Sequence, residues 1–328
     1  MKKPKIKLPP EAQAVVDAFD RESSEYLLSL EKPYAPPQRL YHYTTAAGLL
    51  GILESGKVWL TDVKDANDSS ELIHGVGLAA DELVSATKNS SPEVQKFAEL
   101  AQQLAPMVRE NQHFHVCCLS PDGDDLDQWR RYGEAKGFVV GFDGPLLVSQ
   151  FLAQTLDRGG TLAFDIDYDD ELLRNRAHGL IDLVLPHIHW ARKYTDPWAK
   201  FGAAIGASMQ ELSVILFGGL MTIAYTHKHH GFKGERETRL LELTGSRGPG
   251  DRMRSRLRGL KFLPYTEYEW ARAGQALPLL SIRSGPAVNR ADGMEFMQEC
   301  ARRFRNRFHV PDAQVIAFDH SKQPFVVV

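Results

Sequence analysis

Two periodicities alternate along this chain, one of two residues and one of about three and a half. From Arg39, "RLYHYT" reads as extended; then Leu49, Leu50, Ile52 and Leu53 recur at helical spacing until Gly56 closes the helix. "KVWLTD" predicts a strand, and Asp68 or Ser69 caps a helix with Glu71 as the capping-box residue. Ser91-Pro92 opens another, with the hydroxyl at the cap and the proline in the first turn. "HFHVCCLS", "GFVVGFD" and "TLAFDIDY" predict strands, and "DDLDQWRRYGEA" a short polar helix. Two long helices follow over 169–193 and 197–226, the second apolar almost all round and so central to packing. "RETRLLEL" and "LPLLSIR" read as strands, "EFMQECARRFRNRF" as a helix, and "AQVIAFDH" and "PFVVV" as the closing extended segments.

Strands and helices are interspersed without regular βαβ alternation and without an internal repeat. The expected class is therefore α+β, with a mixed or antiparallel sheet. Prolines 4, 9, 10, 33, 36 and 37 set off residues 1–38 as an arm. Residues 39–328 then form one domain, with the helical stretch 169–226 as an insertion between sheet elements. "LSVILFGGLMTIAYT", residues 212–226, falls short of the ~20 apolar residues a membrane span needs, and is expected to be a buried helix. The basic N-terminus lacks the apolar core of a signal peptide, so neither a membrane span nor a membrane partner is expected.

Charge adds one exclusion. With 39 basic and 42 acidic residues the formal charge is −3, which argues against a surface devoted wholly to nucleic acid. Three cysteines, Cys117, Cys118 and Cys300, cannot form a disulfide framework and contain no CxxC pair. They imply buried thiols and a reducing, cytoplasmic compartment.

No GxGxxG opens a helix after a strand, and no GxxxxGK[ST], GxSxG or HExxH is present. Asp165 and Asp167 read as one face of a strand edge, and Asp169-Asp170 as a helix N-terminus that welcomes negative charge. His227, His229 and His230 in "THKHHGF" read as a basic helix end; HxH lacks a third ligand nearby, and no metal is assigned. Gln128, Trp129, Arg130, Arg131 and Tyr132 crowd amphipathic groups ahead of a glycine-bounded strand, a composition suited to phosphate and base contacts. Glu235 and Glu237 flank Arg236 at a strand start, where positions i and i+2 share a face and two carboxylates would point the same way. Their repulsion would raise one pKa unless a cation or polar substrate lies between them.

Three blocks, "LYHYTTAAGLLGILESGKVWLTDVKDANDSSE", "CLSPDGDDLDQWRRYGEAKGFVVGFD" and "KHHGFKGERETRL", resemble a widespread bacterial family known as a domain of unknown function. More remotely, the order of elements is similar to the ADP-ribosyltransferase superfamily, whose split antiparallel sheet clasps NAD. That resemblance implies His42 in the first-strand role, Ser120 of "CLS" in the second motif, and Glu235/Glu237 as the ExE pair with Glu237 catalytic. The "CLS" block departs from the fuller Ser-Thr-Ser pattern. It further implies that His42 holds a ribose or the nicotinamide amide and that Tyr43 stacks on nicotinamide. Tyr41 anchors the opposite face of "YHYT", which ends at Thr44. Arg130 or Arg131 neutralises the pyrophosphate, and Glu235 orients the accepting nucleophile. The implied activity is an NAD-using transferase in phage defence or a toxin system, with a nucleotide ligand and a protein or nucleic-acid acceptor.

Two rivals stand beside it. One is a catalytically silent module that keeps the pocket to sense a nucleotide or a partner. The other is a nucleic-acid-associated protein using "RGPGDRMRSRLRGLK", residues 247–261, a run that reads equally as a solvated loop and helix face.

Overall fold

A computed structural model of the chain describes residues 8–30, 34–65, 69–111, 113–132, 135–155, 160–192, 198–243, 253–272, 274–311 and 313–324. In chain order the elements are α1 (Pro10–Leu30), β1 (Arg39–Thr44), α2 (Ala46–Ser55), β2 (Lys57–Asp62), α3 (Ser69–Thr87), α4 (Pro92–Asn111) and β3 (Phe114–Leu119). Then come α5 (Leu126–Arg131), β4 (Phe138–Asp143), α6 (Gly144–Thr155), β5 (Thr161–Asp165), α7 (Asp170–Arg192) and α8 (Trp198–Tyr225). The chain ends with β6 (Thr238–Leu243), β7 (Arg254–Arg258), β8 (Lys261–Glu269), β9 (Leu279–Ser284), α9 (Arg290–Phe308) and β10 (Ala317–His320).

The chain is α+β, as its pattern predicts, and it divides into two units. The helical unit combines residues 1–33, 68–112 and 167–233; the α/β unit combines 34–67, 113–166 and 234–328.

In the α/β unit, β1-β4-β9-β10 form a four-stranded mixed sheet, antiparallel except for the parallel β9–β10 pair. The order β5-β6-β3-β2-β8-β7 gives a six-stranded antiparallel sheet. One apolar core joins them: Leu40, Phe142 and Ile282 come from the first sheet, Leu60, Leu240 and Tyr268 from the second. The helices α2, α6 and α9 add Leu53, Phe151 and Phe304 to the same cluster. Each such fully buried aliphatic or aromatic side chain contributes about 1.5–3 kcal/mol through apolar burial. Thr45 caps α2, accepting a hydrogen bond from the Gly48 amide at 3.1 Å. Gly56 ends that helix at φ 67°, where a Cβ would also strike the Phe308 ring at 2.5 Å.

In the helical unit α8 packs against α1, α3, α4 and α7. Its stretch Ser208–Tyr225 is long and apolar enough to cross a membrane by length and composition, and 61% of it is buried within the structure. Leu212, Leu216, Phe217, Leu220 and Met221 supply that buried surface. The segment read as an arm carries α1, a 21-residue helix whose Ala12, Val16 and Phe19 are buried. The helical part is thus wider than 169–226, because α1, α3 and α4 offer apolar faces that pack with α7 and α8.

The basic run departs from its loop-and-helix reading. Residues 254–258 form β7, hairpinned to β8 through Gly259 at φ 61°. Asp68, residues 247–252 and 325–328 lie outside the described residues.

Candidate functional site

Within the α/β unit the two sheets are stitched at one point. The Tyr41 amide donates to the Ser120 carbonyl at 2.8 Å, and the Ser120 amide donates back at 2.9 Å. Because β3 and β6 pair with Leu119 opposite Thr238, Glu237, directly ahead of β6, comes beside Ser120. His42, Ser120 and Glu237 are thereby gathered around Cys117 and Cys118. His42 Nδ1 donates to the Cys118 carbonyl at 3.1 Å and lies 3.8 Å from the Cys117 sulfur. A carbonyl can only accept, so Nδ1 carries the proton of the neutral ring and Nε2 is left as an acceptor. Burial pulls the His42 imidazole below its ordinary value; the Cys118 carbonyl opposes this, and the Arg256 cation adds to it.

Glu237 is 5% exposed and takes a bidentate pair from Arg239, 2.6 Å to Nε and 3.2 Å to Nη2. It also hydrogen-bonds the Cys118 thiol. Burial pushes the Cys117 thiol up to about 12 and Cys118 well above the usual range, with the Glu237 charge adding to both. Ser120 is buried, and its Oγ accepts from the Asp122 amide at 3.2 Å.

The two glutamates do not share a strand face. Glu235 ends a 3-10 turn, Arg236 takes φ 45°, and only after it does the chain extend into β6. A left-handed arginine costs of order 1–3 kcal/mol. Its effect is to turn the neighbouring carboxylates apart. Glu235 pairs with Arg131 and Glu237 with Arg239, so each carboxylate has a guanidinium against it where the ExE spacing led one to expect mutual repulsion.

The tyrosines also differ from expectation. Tyr41 and Tyr43 share one face of β1, as the two-residue period requires, and both pack with Trp129 and Val139. Tyr43 is buried, meets Trp129 edge-on at 4.8 Å, accepts from the Asp125 amide at 2.9 Å and donates to the Asp122 carbonyl at 2.9 Å. It is an anchor rather than a ring open for stacking. Trp129 is 1% exposed, with its Nε1 on Asp124 at 2.9 Å. The Tyr41 ring fills the space over Gly123, where a Cβ would lie 2.5 Å from it. Thr44 Oγ1 sits where a Cβ on Gly48 would be.

Gln128 is buried and donates to the Glu235 carbonyl at 3.4 Å. Arg130 is exposed, with Asp127 at 3.8 Å, and Tyr132 closes α5 with its amide on the Gln128 carbonyl at 3.0 Å. His42 and Glu237 thus both border Cys117 and Cys118, the residues that lead into Ser120 at the seam. Gln128, Arg131 and Glu235 form a second, connected group; Tyr41, Tyr43, Thr44, Trp129 and Tyr132 build the frame.

Sequence reasoning gave no site role to Arg256 or Asp124, and left Arg239 as an arginine that could pair with a neighbour. Arg239 was visible as the last position of "ExExR". Arg256 lies over Trp59 at 5.3 Å and donates to Thr61 Oγ1 at 3.2 Å; burial lowers its pKa. Its Nε is buried without a hydrogen-bond partner among the described residues. Asp124 is held below the ordinary carboxylate value: burial acts against this, but hydrogen bonds from Ser321, the Lys322 amide and Trp129 outweigh it. In the helical unit, His74, Asp170 and His227 place one metal-ligating atom each within 4.8 Å of one another.

Compared with family models, curated proteins and solved structures, the chain matches none.

Proposed function

We propose that the α/β unit is an NAD-binding, ADP-ribosyltransferase-like module. What supports this reading is that His42 and Glu237 both border Cys117 and Cys118, which lead into Ser120 at its bridge with Tyr41. A split sheet with these three residue types in this order suits a dinucleotide ribose.

Cleaving the nicotinamide glycosidic bond develops oxocarbenium character at the ribose, which a nearby carboxylate stabilises. Glu237 would accept the ribose 2′-hydroxyl, held in orientation by Arg239. His42 Nε2 would accept from a ribose hydroxyl or the nicotinamide amide. Arg130, exposed on α5, would meet the pyrophosphate, and Glu235, braced by Arg131, would orient the accepting group. Tyr41 and Tyr43 hold β1 in place. With three free cysteines, a cytoplasmic setting and a role in bacterial phage defence or a toxin system fit the same reading.

The test is calorimetry with NAD together with turnover of labelled NAD, on wild type, His42→Ala and Glu237→Gln. Wild type binds, His42→Ala weakens binding at least about tenfold, a change of about 1.4 kcal/mol, and Glu237→Gln abolishes turnover. Failure of the wild-type chain to bind NAD would end the reading. A second reading, a silent nucleotide-sensing module, is favoured by the burial of Glu237 in its pair with Arg239. Saturable NAD binding without release of nicotinamide selects it.

A further inference from the structure

We propose that His74, Asp170 and His227 bind one divalent transition-metal ion of the zinc class where three helices of the helical unit meet. Helix α3 carries His74, α7 opens on Asp170, and His227 follows the end of α8 by two residues. Nothing in local spacing joins them; packing does.

The backbone fixes the arrangement before any side chain acts. Asp167 donates its amide to the Thr226 carbonyl at 2.9 Å, and Lys228 donates to the Asp167 carbonyl at 2.9 Å. This short parallel bridge holds His227 against the segment leading into α7. On the other side, a Cβ at Gly75 would lie 3.0 Å from the Ala224 carbonyl. The missing side chain lets α3 close down on the end of α8, and His74 is the residue next to that contact.

The donor atoms converge. Asp170 Oδ1 lies 2.8 Å from His227 Nε2 and 3.3 Å from His74 Nε2, and all three atoms fall within 4.8 Å. Around a tetrahedral zinc with bonds of about 2.0–2.1 Å, ligand atoms stand roughly 3.3–3.5 Å apart, so small side-chain shifts suffice. Two imidazoles and one carboxylate suit zinc or a neighbour in the transition series; calcium and magnesium favour oxygen alone.

Access and rigidity are divided sensibly between the ligands. The His227 side chain is 1% exposed, whereas His74 and Asp170 are 29% and 38% exposed. One ligand is therefore fixed in the protein while the other two face an entry route. The His229 ring stands 5.0 Å from the His74 ring, a further imidazole next to the cluster. His227 Nδ1 is buried and has no hydrogen-bond partner among the described residues, so the ring is oriented from its Nε2 side alone. On metal binding both rings ligate as neutral imidazole. The proton that each Nε2 shares with Asp170 ends on Nδ1 of the same ring, so both imidazoles stay neutral and no oxidant or reductant is required.

An ion here would tie α3, α7 and α8 together and stabilise the folded chain by mass action. A hydrogen-bonded His-Asp-His cap with no metal role would be indifferent to added ions. The untagged full chain, stripped with EDTA, should be titrated with Zn2+ by calorimetry and melted with and without Zn2+. Co2+ serves as a visible-absorption probe of the ligand field.

The expected result is one ion per chain, a rise in Tm, and at least about tenfold weaker binding in His74→Gln and in Asp170→Asn, a loss seen even for outer residues of metal sites. These two near-isosteric variants avoid emptying the buried His227 position. Either an unchanged wild-type Tm at saturating Zn2+, or Zn2+ binding of wild-type affinity in both variants, overturns the proposal. Neither outcome depends on whether the α/β unit binds NAD.

Discussion

Tyr41 and Ser120 exchange a pair of backbone hydrogen bonds, although Tyr41 lies in the four-stranded sheet and Ser120 directly follows a strand of the six-stranded one. The seam is narrow: β1 otherwise pairs with β4, and β3 with β2 and β6. It lies next to an imidazole, two thiols and a paired carboxylate.

Breaking the Glu237–Arg239 pair from one side removes the bidentate countercharge from a buried group. Glu237→Gln or Arg239→Met alone should lower stability by about 3–5 kcal/mol, and the double Glu237→Leu/Arg239→Met should lose less than the sum of its single changes. Urea melts of the four-member cycle measure this. Single changes of under about 1 kcal/mol, the scale of exposed pairs, would mean the pair is solvated.

His42 should make stability depend on acid. Its imidazole is depressed in the folded chain, by burial first and by Arg256 second, below the ordinary 6.5 of an unfolded histidine. Between those two values the unfolded chain binds the proton more readily, so stability rises with pH through that window and is full above 6.5. Thermal melts from pH 7.5 downward should show Tm falling as the pH passes below about 6.5, the unperturbed histidine value. The fall should be shallower in His42→Gln, and identical slopes for the two proteins would refute the assignment.

Arg236 holds a left-handed backbone at φ 45°. Its ion pair with Asp122 at 2.8 Å joins side chains that are 56% and 40% exposed, so losing that pair removes little. Arg236→Gly should therefore be neutral or stabilising by up to about 1 kcal/mol, while Arg236→Val, β-branched at a positive φ, should destabilise by more than that. Equal urea midpoints for the two variants would rule out backbone strain at this turn.

The thiols should be silent. Cys117 is pushed up to about 12 and Cys300 to about 11 by burial, and Cys118 is raised well above its ordinary value. Thiolate is the reactive form. At pH 8 a disulfide reagent should label the folded chain slowly and reach all three cysteines only in denaturant. Rapid labelling of a full equivalent under native conditions would show that one thiol is open and activated.

The strands that frame the seam were legible as short apolar and aromatic runs bounded by turn residues, α7 by its helical spacing and α8 by being apolar almost all round. The placing of His42 and Glu237 about Cys117 and Cys118 rests on pairing across long sequence separations, which no local period encodes. The glutamate pair was misread because a two-residue period assumes extended backbone, and Arg236 leaves that region. β7 was hidden because arginine at every second position looks like a solvated run, yet the hairpin places Arg256 half-buried over Trp59. α1 looked like an arm because prolines bracket it; what decides its place is Phe19, fully buried. The histidine triplet "THKHHGF" gave only His227 to the cluster, since the other donors come from α3 and α7.

The first helix has a long wait during synthesis. Tyr26 bonds the Arg176 carbonyl across 150 residues, and His187 meets Glu22 across 165. At about 5–20 residues per second, roughly 8–30 s separate the emergence of α1 from that of the surface it settles on. Throughout that interval Phe19 and its neighbours are a sticky face on a growing polypeptide, waiting for the helices that will cover it.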